Sequence, residues 1–375
     1  MRKDRQKDRK GSRRGRLVNQ LGETQLVETI LSRFCGEGTR RVLVGPGDDA
    51  AVVKLDRGSP LILTTDVLVE GTHFSLDFSY PEAIGFKAVT ANLSDVAAMG
   101  GQPFGIVVSL GIPRTIPVRA VNRIYAGISR ALSLFGGELL GGDTVRSRAV
   151  TVCVSAVGEL VGKTPFLRSG ARPGDAICVT GTLGGSEMGL KLLKKYFKGK
   201  PRSRDSSLTS WSDRTAGYFR EKLPASVRKN GHACISRHLL PRPRVTEAGV
   251  LSSYDLSAAI DISDGLLIDV ARIAKASDVG VLLREEQVPV SRDCEAVARS
   301  LGVSAYDVAL SSGEEYEILF AVAPAKVRQI TRTLANRCGT GVTVLGEVVE
   351  KRRGAFVAGR RGRRKRLLER GFEHF

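Results

Sequence analysis

Long apolar runs are missing from this 375-residue chain, and none approaches the roughly 18 consecutive apolar residues that a membrane-crossing helix needs. No membrane span is expected. Leu17 to Glu28, which follows a basic start, is too polar for the core of a secretion signal, so a cytoplasmic protein is expected. Cysteine is sparse and scattered: Cys35, Cys153, Cys178, Cys234, Cys294 and Cys338 form no Cys-x-x-Cys pair, and no histidine stands at zinc-finger spacing from them. They read as reduced, mostly buried thiols rather than a disulfide framework. The 42 glycines show no Gly-X-Y period, which excludes a collagen-like chain.

What is abundant is positive charge, +19 in all, and its placement matters more than its total. Residues 1–16 carry nine Lys/Arg against Asp4 and Asp8, and residues 351–370 carry ten against Glu369, so everything between is left at about +3. The folded middle is nearly neutral, and the two ends read as solvated arms or strand-and-tail decorations. Nucleic-acid binding through these basic ends is one reading of them; a solubilising tail is the other.

The length suffices for two domains. In the first, Glu23 to Phe34 has helical spacing, Ala50–Leu55 and Leu61–Thr65 read as strands, and Pro81–Met99 reads as one or two helices opened by a proline. Phe104–Ile112 follows as a strand, Val118–Phe135 as a helix stopped by Gly136-Gly137, and Val150–Gly158 as a strand. A Pro/Gly/Arg-rich connection at 164–174 marks the boundary. The second domain opens with the strand Ala176–Thr180 and the helix Ser186–Tyr196. A polar, basic stretch at 198–232, containing the lone Trp211, then reads as an insertion or mobile loop. Ordered elements resume with strands at 258–262, 280–283, 318–322 and 342–348 and helices at 266–276, 294–301 and 325–335. The expected division is a basic arm (1–18), an α/β domain (19–163), a second α/β domain (164–350) and a basic tail (351–375).

Two nucleotide-like motifs fail on their spacing or context. Gly158–Thr164 (GELVGKT) is one residue short of a phosphate-binding Walker loop and runs into Pro165 where a helix should follow; Gly45–Ala50 (GPGDDA) leads into a strand and places two carboxylates where phosphates would sit. The informative feature is a recurring aspartate at the edge of an apolar segment beside Gly, Ser or Thr: Asp48 and Asp49, Asp66, Asp95, Asp143, Asp261 and Asp264. One such residue is ordinarily a helix cap or turn former, and Asp264 could cap the helix that follows Gly265. Repeated in one context, and drawn from both domains, these carboxylates suit several hard cations such as Mg²⁺ that bridge to phosphate oxygens.

At this point the ordered set GPGDDAAVV (45–53), TTDVLVEGTHF (64–74), NLSDVAAMGG (92–101), GGDT (141–144), RSGARPGD (168–175), VTGTLGGSEMGL (179–190), IDISDGLLIDV (260–270) and GEEYEILF (313–320) resembles the thiamine-monophosphate kinases, of the ATP-using superfamily that includes aminoimidazole ribonucleotide synthetase. The resemblance covers roughly residues 20–350 and, through Gly371-Phe372-Glu373-His374-Phe375, the end of the sequence. It implies a two-domain α/β (α+β) fold of the aminoimidazole ribonucleotide synthetase type, with an amino-terminal sheet that pairs with that of a second subunit in a homodimer. It also implies transfer of the ATP γ-phosphoryl group to thiamine monophosphate with several Mg²⁺ ions and no protein nucleophile.

Carried over by position, the resemblance makes Asp48, Thr64, Thr65, Asp66, Asp95, Asp143, Asp261 and Asp264 the metal ligands, with Asp143 and Asp264 the most critical. Tyr125, Gly142, Asp143, Arg168 and Ser263 become the ATP contacts, Tyr125 being equally readable as an interfacial helix residue. His73, Glu314, Glu315 and Phe372 become the thiamine-phosphate pocket, where acid and aromatic face suit the thiazolium cation. Glu315 departs from the family's usual Asp, and 198–232 and 1–18 have no counterpart. Two alternatives remain. A sister enzyme is disfavoured: no reactive Cys or Lys loop precedes Gly47, as selenophosphate synthetase has, and Glu373-His374-Phe375 stands where the hydrogenase maturation relative has a terminal cysteine. An RNA-binding protein acting through the basic ends is the other.

Overall fold

The computed structural model describes residues 41–197 and 222–359, except 46, 56 and 57, together with 219 and the strand at 364–366. The arm at 1–18, the expected helix at 23–34, Cys35, Trp211 and Phe372 lie outside the described residues.

The first sheet begins with β1 (Val42–Val44), β2 (Ala51–Val53) and β3 (Leu61–Val69). Helix α1 (Pro81–Ala98), strand β4 (Gly101–Ile112), helix α2 (Val118–Phe135), and strands β5 (Glu138–Arg146) and β6 (Thr151–Leu160) complete it. The six strands are ordered β1-β2-β3-β6-β4-β5, antiparallel except for β4 with β5. Pro81 stands in the first turn of α1, where its missing N–H costs nothing and its fixed φ suits the helix. The helix is single and buried around nearly its whole circumference. It meets α2 backbone to backbone: a Cβ on Gly127 would stand 1.9 Å from the Glu82 carbonyl oxygen, and one on Gly85 would stand 2.0 Å from that of Ile124.

The second sheet is assembled from β7 (Ala176–Thr180), helix α3 (Gly185–Phe197), helices α4 (Arg228–Leu239) and α5 (Val245–Leu251), and β8 (Ala258–Asp261). The chain continues through α6 (Leu266–Ser277), β9 (Gly280–Arg284), α7 (Arg292–Leu301), α8 (Ala305–Ser311), β10 (Ile318–Val322), α9 (Pro324–Cys338), β11 (Val342–Val349), β12 (Ala355–Ala358) and β13 (Arg364–Arg366). Its order is β13-β12-β9-β11-β7-β10-β8. Strands β7 and β10 are buried at every residue because both sheet faces are covered: Ile318, Phe320 and Val322 join the apolar cluster that includes Leu93 and Val96 of α1, while Leu319 and Ala321 join a second cluster with Leu266 and Ile273 of α6. Among the described residues no helix is long and apolar enough to cross a membrane.

Several elements differ from the sequence reading, among them the short helix α8, which no expected element covers. The expected loop at 198–232 ends early, since α4 starts at Arg228 and Leu223 and Val227 are already buried. A basic composition hid the stripe Gly231, Cys234, Ile235, His238, Leu239, which is helical in period. Helix α5 also precedes the strand at 258, where the next ordered element was expected. Strand β5 was missed because Gly-Gly-Asp-Thr carries turn residues and all nine positions are exposed, so no apolar alternation marks it. Part of the expected basic tail is sheet: β12 pairs in parallel with β9 and buries Val357.

Candidate active site: a buried carboxylate cluster

The site forms where β3, α1 and the turn after β8 converge. Alternation along β3 turns Ile62, Thr64, Asp66 and Leu68 toward α1 and Leu63, Thr65 and Val67 to the opposite, exposed face. On α1, Asn92 and Asp95 meet the first group, and Ser94 meets the end of β8. The Thr64 hydroxyl donates to Asp95 Oδ2 at 2.6 Å, the Asp66 amide donates to Asn92 Oδ1 at 3.1 Å, and the Ser94 hydroxyl donates to Asp261 Oδ2 at 2.6 Å. Ser263 adds a hydrogen bond to Asp261 Oδ1 at 3.2 Å.

Asp49, Asp95 and Asp261 each offer a carboxylate oxygen within 4.8 Å of the others, a group that could hold a metal ion. Burial pushes Asp49 up to about 7 and Asp261 up to about 6, and it raises Asp95 well above the usual carboxylate range. Neighbouring carboxylates push all three further the same way, while Arg168 opposes them at Asp49 and Asp261. Asp66 is raised by burial and by Asp264. One oxygen of this set, Asp49 Oδ2, is buried with no hydrogen-bond partner. Concentrated negative charge, hard oxygen donors and an orphaned buried acceptor fit a divalent cation.

Arg168 closes one side. Its Nη2 donates to Asp49 Oδ1 at 2.5 Å and its Nη1 to the Gly47 carbonyl at 3.3 Å, while its amide donates to Asp48. Asp48 thus shapes the turn, and it is Asp49, absent from the expected ligands, that enters the cluster. The tandem Asp-Asp gave no means of choosing between them. Asp264 is not the cap: α6 starts at Leu266 with Gly265 at its N-cap and no side-chain cap, the Gly265 amide donates to Asp269 Oδ2, and Asp264 pairs with Arg272 at 2.6 Å. Arg272 and the fully buried Asp269, joined at 2.8 Å, were not foreseen, although their i, i+3 spacing on α6 is a readable signal.

Four expected residues lie apart. Thr65 is on the other face of β3, bonded to Ser155 Oγ at 2.9 Å. Asp143 and Gly142 sit on β5, and the row Asp66–Val154–Val108–Gly142 separates them from Asp66 by three strand spacings, about 14 Å. Asp143 is exposed and accepts the amide of Thr144 at 2.8 Å. Tyr125 is on α2, lining a groove of about 500 Å³ with Gly137, Glu138 and Leu139, next to that same strand.

The expected acceptor pocket is partly rearranged. His73 Nδ1 accepts the amide of Val69 at 3.1 Å, which fixes its ring. Glu315 is fully buried, bonded to Ser312 Oγ at 2.6 Å and to the Ser186 amide at 3.1 Å, and Arg237 stands 3.4 Å away. Its charge is therefore spent inside the protein rather than presented to a cation. Glu314 is half-buried and paired with Lys87 at 2.8 Å. Glu314 and Tyr316 both adopt left-handed backbone, φ 55 and 53, which costs a non-glycine residue about 1 kcal/mol or more. Tyr316 is buried against the cluster, and burial together with Glu314, Asp66, Asp261 and Asp95 raises its phenol well above the usual range.

Comparison with known proteins adds an independent line. Residues 47–160 match the AIR synthase related protein, N-terminal domain, and residues 172–359 match the AIR synthase related protein, C-terminal domain. A curated thiamine-monophosphate kinase of Mycobacterium tuberculosis is 33% identical over 321 residues, 84% of this chain and 86% of that protein. Another, of Aquifex aeolicus, is 33% identical over 361 residues, 96% of this chain and 99% of that protein. A solved structure described as AaThiL complexed with AMPPCP and TMP superposes with a TM-score of 0.77 at 31% identity, covering 96% of this chain and 99% of that one.

Proposed function

The chain belongs to the AIR synthase related family, among its thiamine-monophosphate kinases, and we propose that the buried carboxylate cluster is the centre at which it carries out their reaction. It phosphorylates thiamine monophosphate with ATP, giving thiamine diphosphate and ADP, a step of thiamine biosynthesis. The observation that carries the assignment of the site is the convergence of Asp49, Asp95 and Asp261.

Attack of one phosphate on another gathers negative charge, and an ionised phosphate acceptor needs neither a protein nucleophile nor a strong general base. Positioning and charge compensation remain for the protein to supply. Asp49, Asp66, Asp95 and Asp261 are the residues that would hold Mg²⁺, with Asp264 beside them once Arg272 yields. Held there, Mg²⁺ would supply the positive charge that offsets the phosphates gathered in the transfer. Thr64 and Ser94 orient Asp95 and Asp261 by donating hydrogen bonds, so these carboxylates present their remaining lone pairs to the cleft. Arg168, with a fixed charge and forked donors, binds the nucleotide phosphates, and Ser263, hydrogen-bonded to Asp261, is the further proposed nucleotide contact. His73, Glu314 and Phe372 remain the proposed contacts to thiamine monophosphate, with Glu315 supporting from behind.

A homodimer accounts for the separation of Asp143, Gly142 and Tyr125 from the cluster. The exposed face of the first sheet carries Leu63, Val67, Phe104 and Val107, and its edge strand β5 adds Leu139, Leu140 and Val145. An uncovered apolar face with an unpaired edge is unfavourable in water, and a second copy would cover it. That copy's β5 would then bring its Asp143 and Gly142 toward this chain's nucleotide site. The proposed domains are 19–163, which forms this interface, and 164–350, which covers the nucleotide.

The test is purified protein with ATP, Mg²⁺ and thiamine monophosphate, following thiamine diphosphate by chromatography beside Asp143→Asn. Thiamine diphosphate from the native chain but not from the variant is expected. ADP without thiamine diphosphate would refute the acceptor and keep the ATP site.

A further inference from the structure

We propose that Lys87 is a positioning residue for the acceptor, acting through Glu314 to fix the loop 313–317 that walls the carboxylate cluster. This rests on the kinase reading of the site. Lys87 lies on α1, and its side chain is 4% exposed with Nζ 2.8 Å from Glu314 Oε2. A buried ammonium is costly unless paired, so this contact holds the loop firmly.

The loop is constrained to an unusual degree. Among the described residues only three non-glycine positions have positive φ; one, Asp278, ends a helix, and the other two, Glu314 and Tyr316, flank Glu315. The amides of Glu314, Glu315 and Tyr316 donate to the carbonyls of Ser263 at 2.7 Å and of Ile262 at 3.1 and 2.8 Å. Those carbonyls lie between Asp261 and Asp264. A shift of the loop therefore moves two carboxylates of the cluster and the Tyr316 ring packed against it.

Helix α1 grips this unit at two points. Ser94 bonds Asp261 directly, and Lys87, seven residues earlier and so on the same helix face, holds Glu314. On the far side His238 of α4 stands 3.4 Å from Glu314 Oε2 and 3.2 Å from Ser186 Oγ. Burial, together with Lys87 and Lys194, lowers the affinity of His238 for a proton, so Lys87 supplies the positive charge at this carboxylate. The three residues tie an element of the first sheet's domain to two of the second through one carboxylate. With its charge answered by Lys87, Glu314 presents oxygen rather than net charge to the acceptor.

Lys87→Met keeps the apolar stem and removes the ammonium. Expected are a rise of about tenfold or more in KM for thiamine monophosphate, a smaller rise in KM for ATP, and faster hydrogen–deuterium exchange confined to 313–317. Lys87→Gln, which keeps a neutral donor, should fall between and serves if the Met variant does not fold. Unchanged acceptor KM with unchanged exchange overturns the proposal. So does a merely structural outcome, in which melting temperature and active fraction fall, exchange rises along all of α1, and both Michaelis constants stay put. If the wild-type chain forms no thiamine diphosphate, the kinase reading fails instead, and exchange at 313–317 still decides the tether.

Discussion

Asparagine at position 49 should stabilise the metal-free protein at alkaline pH and leave it little changed at acid pH. Burial pushes the Asp49 carboxyl up to about 7, against about 4 in an unfolded chain, so the folded state holds a proton that the unfolded state has lost. A raised acid stabilises below its unfolded value, and that contribution disappears as pH rises through the folded value. Between pH 5 and pH 8 the loss comes to about 3 kcal/mol for Asp49, at roughly 1.4 kcal/mol for each pH unit over which the proton difference persists. Asp261, raised to about 6, adds about 1 kcal/mol in the same direction. His238 runs the other way, since burial lowers its value and its stabilisation is lost as pH falls below about 6.5. Comparing Asp49→Asn with wild type cancels His238 and isolates Asp49. With unfolding entropy near 2.1 cal/mol/K per residue, 3 kcal/mol corresponds to roughly 4 °C in this chain. The assay is thermal unfolding in chelator at pH 5 and pH 8, repeated with Mg²⁺, which should restore wild type at pH 8 and help the variant far less. Equal shifts from the substitution at both pH values would refute the reasoning.

Arg168→Lys keeps the charge but loses the fork, and it should raise KM for ATP roughly ten- to a hundredfold, measured against an unchanged acceptor KM. Mixing Asp66→Asn with Asp143→Asn, each inactive alone, should recover about a quarter of wild-type turnover after subunit exchange, because one site of each hybrid dimer is then intact; no recovery would place both residues in one chain's site. Gly127→Ala forces a methyl against the Glu82 carbonyl and should destabilise by about 3 kcal/mol or more, read by denaturant unfolding. Arg244→Met leaves the fully buried Glu317, now held at 2.5 Å, without its main counter-ion and should cost about 3–5 kcal/mol in the same measurement.

Period and punctuation in the sequence determined most of the elements. Pro81 opening α1, Gly136 ending α2 and the continuous apolar run of β10 are local signals with local causes, and each stands where expected. The recurring aspartates likewise stood out in the sequence, since a carboxylate beside Gly, Ser or Thr at the edge of an apolar segment is limited by its type to cations and hydrogen-bond donors. Tertiary structure decided which of them meet. Whether Asp48 or Asp49 enters the cluster depends on Arg168, more than a hundred residues away, and whether Thr65 faces Asp66 depends on the pleat of β3. Whether Asp143 reaches the site depends on its strand's place at the edge of the sheet. Burial is equally non-local: Glu315 reads in sequence as an acid of the substrate pocket, and only the packing of α3, α4 and β10 around it turns its charge inward. The chemistry of each side chain is written one residue at a time, while distance and desolvation, which set what that chemistry does, arise from contacts between residues far apart in the chain.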